Sequence, residues 1–339
     1  MSPPEAAALR VAVIGVGHLG SHHARIYAAN PRADLRAVVD SDERRASALG
    51  AELGCAHLRG VSDLGEDLDC VSIAVPTALH AELAIPLLER GVACLIEKPL
   101  AATLAQADLI LEAARRGGAM VAVGHVERFQ PGLRKVRELG LEPRFIECHR
   151  LAPFRFRSTD IGVVHDLMIH DIDLVLDLIG SEVASFDAAG GAILTESEDV
   201  ASVRLVFENG ARANVTASRA SLSTLRRFRL FSSESYVSLD FNKNYGLMVR
   251  KGPGWEAGRE LLRSMDPAEL AERSDLVEQG LFEVIELELE GEERPLQAEL
   301  DSFLRSVRDR TEPEVSGRDG RRALELADRI AAEIRAQSW

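Results

Sequence analysis

Residues 9–29, LRVAVIGVGHLGSHHARIYAA, run from a continuous apolar segment through three spaced glycines into helical spacing. An apolar run without alternation suits a strand buried on both faces, as in a parallel sheet covered by helices. Parallel strands need crossover connections, so this opening dictates what must follow. The next hundred residues comply. DLRAVVD (34–40), LDCVSIAVP (68–76), VACLIEKP (92–99) and AMVAVGH (119–125) read as further strands. DERRASALGAEL, LHAELAIPLLERG and TLAQADLILEAARRGG read as the helices between them, with Pro31, Pro76 and Gly91 as punctuation. The rhythm predicts an α/β chain that begins with a doubly wound parallel sheet.

The second half changes period. Short alternating segments between 183 and 251, with a hairpin signal at Asn209-Gly210, predict an antiparallel sheet preceded by a helix. Residues 252–278 are polar and irregular, and two amphipathic helices close the chain. The expected division is a nucleotide-binding domain over 1–127 and a second domain over 128–339, the C-terminal helix being able to pack back on the first.

A net charge of −14 excludes general affinity for nucleic acid or anionic membranes, leaving local arginines to recruit any anionic small molecule. No apolar run reaches the length of about 18 residues that a membrane span needs. The N-terminus lacks the basic and apolar regions of a signal peptide. Cys55, Cys70, Cys94 and Cys148 form no CxxC pair and read as reduced thiols of a cytoplasmic protein.

Gly15-Val16-Gly17-His18-Leu19-Gly20 is GxGxxG between strand and helix, and Asp40 ends the next strand. In that setting Gly15 allows the turn, Gly17 lets a pyrophosphate approach, and Gly20 lets helix and strand pack closely. Asp40 suits ribose hydroxyls and repels a 2′-phosphate, which favours NAD over NADP; its competing role is a helix N-cap. Arg44 and Arg45 are expected on the outer helix face. Glu97-Lys98-Pro99 follows another strand, so Lys98 should point into the cleft at the carboxyl edge of the sheet.

GVGHLG, AVPTALH (74–80), EKPL (97–100) and GHVERFQP (124–131), in this order, resemble the glucose–fructose oxidoreductase, inositol dehydrogenase and MocA family over nearly the whole chain. The resemblance implies a Rossmann domain followed by an α/β domain with a large open, mainly antiparallel sheet, and a homo-oligomer, dimer or tetramer. It also accounts for VVHDLMIHDIDLVLDLIG (163–180), where charges interrupt an apolar helix. Family members carry an aspartate and a histidine four residues apart on this helix. Here these are Asp166 and His170, on one helical face. Asp173 and Asp177 continue that face, Asp177 more as an arginine partner than as chemistry. No metal is expected at this HDxxxHD run, because zinc wants three or four converging ligands.

RLAPFRFRSTDIGVVHDLMIHDIDLVLDLIG (150–180) further resembles the subgroup of the family that oxidises UDP-sugars. That implies oxidation of C3 of UDP-N-acetylglucosamine, supplying a 3-keto sugar for diamino sugars of lipid A. His165 departs from the pattern, where an aliphatic residue is expected. Arg150, Arg155 and Arg157 form a basic cluster suited to a diphosphate, or else ordinary ion pairs.

In the implied chemistry His170 is the general base and Lys98 stabilises the developing oxyanion, and the two remain alternatives for the base. Asp166 orients one of them, and Glu97 fixes Lys98 or meets the nicotinamide ribose. Pro76, Thr77 and His80 should line the cofactor cleft. Arg128 meets cofactor or substrate, or makes an interdomain ion pair. The alternatives are a uronate or inositol as substrate, and a non-catalytic dinucleotide-binding regulator.

Overall fold

The structure, a computed structural model, describes residues 7–154, 161–264, 266, 280–289 and 294–337. Two compact units divide it: residues 1–129 with 293–328, and residues 130–292 with 329–339.

The first unit holds six parallel strands: β1 (Leu9–Ile14), β2 (Ala33–Val39), β3 (Ala56–Leu58), β4 (Cys70–Ile73), β5 (Ala93–Glu97) and β6 (Val121–Gly124). Their order is 3-2-1-4-5-6. Helices α1 (His18–Ala29), α2 (Glu43–Leu53), α3 (His80–Glu89) and α4 (Leu104–Gly117) make the crossovers. The apolar runs are continuous because each strand feeds two cores. Val11 and Val13 join Tyr27 and Leu95 in one, and Ala12 and Ile14 join Ile73 and Ile96 in the other. Tyr27 and Ser72 share a buried hydrogen bond of 2.8 Å that pins α1 to β4. Strand order reverses between β1 and β4, and ligands of such sheets bind in the crevice outside the carboxyl ends there.

The second unit begins with α5 (Pro131–Glu138) and builds an eight-stranded sheet from β7 (Phe145–Leu151), β8 (Val183–Gly191), β9 (Val200–Phe207), β10 (Arg212–Ser218), β11 (Leu225–Phe231), β12 (Ser235–Asp240), β13 (Tyr245–Lys251) and β14 (Phe282–Leu287). The order is 14-13-12-11-7-10-9-8, antiparallel throughout except for the β7–β10 pair. The helix expected ahead of this sheet is α6 (Ile169–Ile179), entered through a π-helical stretch, Val164–Met168. Among the described residues, α7 (Trp255–Ser264), α8 (Pro295–Asp309) and α9 (Gly317–Ala336) follow.

Residues 293–328 were expected in the second domain, with the C-terminal helix able to pack back, and the whole segment clusters with the first unit. The cause is apolar: Leu300, Phe303 and Leu304 of α8 share a core with Val11, Val13 and Leu95.

Candidate active site

The crevice at the switch point is shaped by what the glycines lack. Gly15 has φ +82°, and a Cβ there would stand 2.5 Å from the Ala74 carbonyl oxygen. A Cβ on Gly20 would run into the Gly15 carbonyl, so this glycine lets α1 lie close to β1. Gly17 differs, because an added Cβ would meet nothing within 4 Å. Packing does not demand a glycine there, but the approach of a ligand does. Gly17 also caps α1 without a side-chain bond, leaving the first-turn amides for an anion. His18 and Leu19 are exposed beside it.

A cleft of about 530 Å³ opens from this turn, lined by Gly15, Gly17, Asp40, Arg45, Arg59 and Pro76 among others. Asp40 accepts from Val16 N at 2.9 Å through Oδ2 and from Asp42 N at 2.8 Å through Oδ1. The N-cap role belongs instead to Asp42, which accepts from Arg44 N and Arg45 N. Arg45 was expected on the outer face. It turns toward the cleft, with Nη2 3.4 Å from Asp40 Oδ1. The site thus combines a phosphate-sized gap, free of side chain, with a fixed carboxylate, which is what a dinucleotide requires.

Two expected cofactor residues are held by protein groups. His80 is 1% exposed, with Nδ1 3.0 Å from the Pro99 carbonyl and Nε2 3.0 Å from the Val75 carbonyl. It ties two loops together beneath the cleft, and burial lowers its pKa. Pro76 and Thr77 remain at the surface above it. Arg128 is buried, and its guanidinium meets the Glu314 carbonyl at 3.4 Å and Asp319 at 3.8 Å. These partners lie in the C-terminal segment of the same unit, so Arg128 fastens that segment. Lys98 is half-buried after β5, and its N–H donates to Glu97 Oε2 at 3.3 Å. Glu97 faces inward, 3.2 Å from His23 Nε2.

In the second unit Asp166 and His165 sit on the π-helical stretch and His170 in the first turn of α6, all half-buried. A regular helix was expected. The wider π turn redirects side chains and recurs at functional sites. The stretch is anchored where Val163 N donates to Glu198 O at 2.9 Å, and the Glu198 carboxylate occupies the space a Gly162 side chain would need.

Arg150 was expected on a phosphate or in an ordinary ion pair. Its guanidinium grips Asp171 through two buried bonds. The alternation of β7 explains this: Ile146, Cys148 and Arg150 are its buried positions, and the covering α6 supplies Asp171. Asp177 pairs with Arg137 at 2.7 Å. Arg155 and Arg157 lie outside the described residues. Sequence reasoning put Arg45 on the wrong face and missed His23 and Glu299. For Glu299 a signal existed, namely a carboxylate on the apolar seam of LQAELDSFL.

Residues 9–125 match the family model for the oxidoreductase family with an NAD-binding Rossmann fold, and residues 142–238 match the GFO/IDH/MocA C-terminal domain. The chain belongs to the Gfo/Idh/MocA oxidoreductase family. It is 36% identical to a UDP-N-acetylglucosamine 3-dehydrogenase of Acidithiobacillus ferrooxidans, over 97% of this chain and 98% of that protein. A solved structure of that enzyme superposes with a TM-score of 0.86 at 34% identity, covering 97% of this chain and 98% of the other. An inositol 2-dehydrogenase of Rhizobium meliloti is 25% identical over 96% of this chain and 97% of its own length. A levoglucosan dehydrogenase solved with NADH and levoglucosan, at 19% identity and TM-score 0.79, shares the fold. The cofactor of this family is NAD, and the Gly17 gap and Asp40 fit it. Among the described residues no helix is long and apolar enough to cross a membrane.

Proposed function

We propose that this member of the family oxidises the C3 hydroxyl of UDP-N-acetylglucosamine to a ketone. The observation that carries the reading is the near-full-length identity of 36% to a UDP-N-acetylglucosamine 3-dehydrogenase. NAD, when bound, supplies the hydride acceptor. The amides at the start of α1, with Gly15, Gly17, His18, Leu19 and Gly20, hold its pyrophosphate, and Asp40 holds the adenosine ribose. Pro76 and Thr77 line the same cleft.

The residues that act on the sugar are Lys98, Asp166 and His170. His170 takes the hydroxyl proton, because an imidazole titrates near neutral pH. Lys98 donates to the same oxygen and stabilises the charge that develops there. Asp166 orients the cationic partner. Arg155 and Arg157 meet the diphosphate. In this reading residues 1–127, with the returning 293–328, bind cofactor, and the rest of 128–339 binds sugar. The reaction belongs in the cytoplasm, where its 3-keto product feeds an aminotransferase on the way to diamino sugars of lipid A. A second copy of the chain covers the sheet face that carries Phe145, Phe231 and Tyr236, whose rings stack at 5.5 and 4.8 Å on the side away from Ile146 and Leu230.

The experiment compares NADH formation on UDP-N-acetylglucosamine, the corresponding uronate and myo-inositol. Turnover on the first, with kcat/KM well above the other two, is expected. Preference for the uronate or inositol would overturn the substrate, and ligand binding without reduction of NAD would overturn the activity.

A further inference from the structure

Behind the Glu97-Lys98-Pro99 turn lies a sealed group of titratable side chains. His23 comes from α1, Glu97 from the end of β5 and Glu299 from α8, all within the first unit. His23 is fully buried and Glu299 is 1% exposed. One nitrogen or oxygen from each of the three lies within 4.8 Å of the others. The buried Glu127, on the turn after β6, adds a third carboxylate to the field at Glu299, and the charges of Glu299 and Asp301 reach the buried Tyr27. Among the described residues neither oxygen of Glu299 has an aligned hydrogen-bond partner, and the approach of His23 to Glu97 is an ion-pair contact without hydrogen-bond alignment.

We propose that Glu299 and His23 are positioning residues for Lys98 and that they act through Glu97. The proposal rests on the catalytic reading of Lys98. Neighbouring carboxylates sealed from water do not all ionise. Burial, followed by the charges of Glu97 and Glu127, pushes the Glu299 carboxyl well above the usual range and so favours its protonated form. Glu97 stands between this acid and the Lys98 backbone. One of its oxygens faces His23 and the other accepts from Lys98 N–H. Gly124 leaves the room for this: a Cβ there would stand 2.8 Å from the Glu97 carboxyl carbon. The backbone at Lys98 is therefore held from behind by a neutral acid and an imidazole, and an ionised Glu299 would push Glu97 off that position.

Two tests need no sugar. Infrared difference spectra at neutral pH should show a protonated-carboxyl C=O stretch in the wild type that is missing in Glu299→Gln. Reductive ¹³C-methylation labels four lysines, Lys98, Lys135, Lys243 and Lys251, and loss of one signal in Lys98→Arg assigns Lys98. Its resonance should move in Glu299→Leu and return to the wild-type position in Glu299→Gln. Kinetics should follow: Glu299→Leu lowers kcat about tenfold, as a small misplacement of a catalytic group does, with KM for NAD unchanged, and Glu299→Gln restores it. If Glu299→Leu does not fold, His23→Gln carries the same expectation. Absence of the infrared band, an unmoved Lys98 resonance in the folded variant, or a stoichiometric divalent metal in the purified protein would overturn the proposal. Wild-type turnover in Lys98→Ala would instead sink the catalytic reading, and the two spectroscopic tests would still decide this one.

Discussion

Arg150 donates from Nε and Nη2 to the two carboxylate oxygens of Asp171, at 2.8 and 2.9 Å, with both side chains buried. A two-bond pair of this kind locks β7 to α6, the helix that carries His170. Removing one partner strands a buried charge, which typically costs about 3–5 kcal/mol. Asp171→Ala and Arg150→Ala should each lower the unfolding free energy, read from urea melts, by an amount in that range. The paired change Arg150→Met with Asp171→Leu should recover most of it. A large rise in KM for the UDP-sugar in Arg150→Ala, with stability unchanged, would return Arg150 to the substrate.

Lys98 and His170 differ in what their loss should leave intact. Neither belongs to the glycine turn or to the Asp40 pocket, so NAD should still bind to Lys98→Ala and His170→Ala. Each well-placed acid–base group contributes roughly 10²–10⁴ in rate, and kcat should fall accordingly. Fluorescence titration with NADH and steady-state kinetics separate the two effects. Near-normal kcat in both variants would remove these assignments.

The parallel sheet was legible because continuous apolar runs report burial on both faces; β1, β4, β5 and β6 follow such runs, and β2 keeps its buried end, AVV. The three-residue β3 was too short to carry a signal. β7 escaped because its alternation, FIECHRL, places a charged arginine at a buried position. The glycine site could be read because its chemistry is local, within about 25 residues of sequence. The fates of Arg128 and Arg150 could not, because Asp319 and Asp171 reach them only through the tertiary fold. The π turn at Val164–Met168 depends on a backbone bonding register that residue identity does not announce.

Glu299 makes a pH prediction with a definite sign. Its folded-state pKa is raised, chiefly by burial, so the folded state binds a proton that the unfolded chain releases earlier. Its contribution is fully present below the unfolded carboxylate pKa and is lost as pH rises toward the folded value. The wild type should therefore lose stability relative to Glu299→Gln, by up to about 1.4 kcal/mol per pH unit, from about pH 4.5 upward until Glu299 itself titrates. Denaturant midpoints of the two proteins from pH 4 to pH 8 check this, and a constant gap would contradict it.

Gly17 and Gly20 share one motif but should fail in different ways when changed to alanine. At Gly17 the new methyl meets no protein atom within 4 Å and fills only space that a pyrophosphate needs. Gly17→Ala should fold with a wild-type melting temperature while KM for NAD rises about tenfold or more, since each 1.4 kcal/mol of lost binding is tenfold. At Gly20 the methyl collides with the Gly15 carbonyl, inside the contact between α1 and β1. Gly20→Ala should lose stability first, by about 1–3 kcal/mol of overpacking strain, with weaker NAD binding as a consequence. Thermal melts with and without NADH distinguish the two. A destabilised Gly17→Ala, or a Gly20→Ala of unchanged stability, would mean that the turn is not built as described.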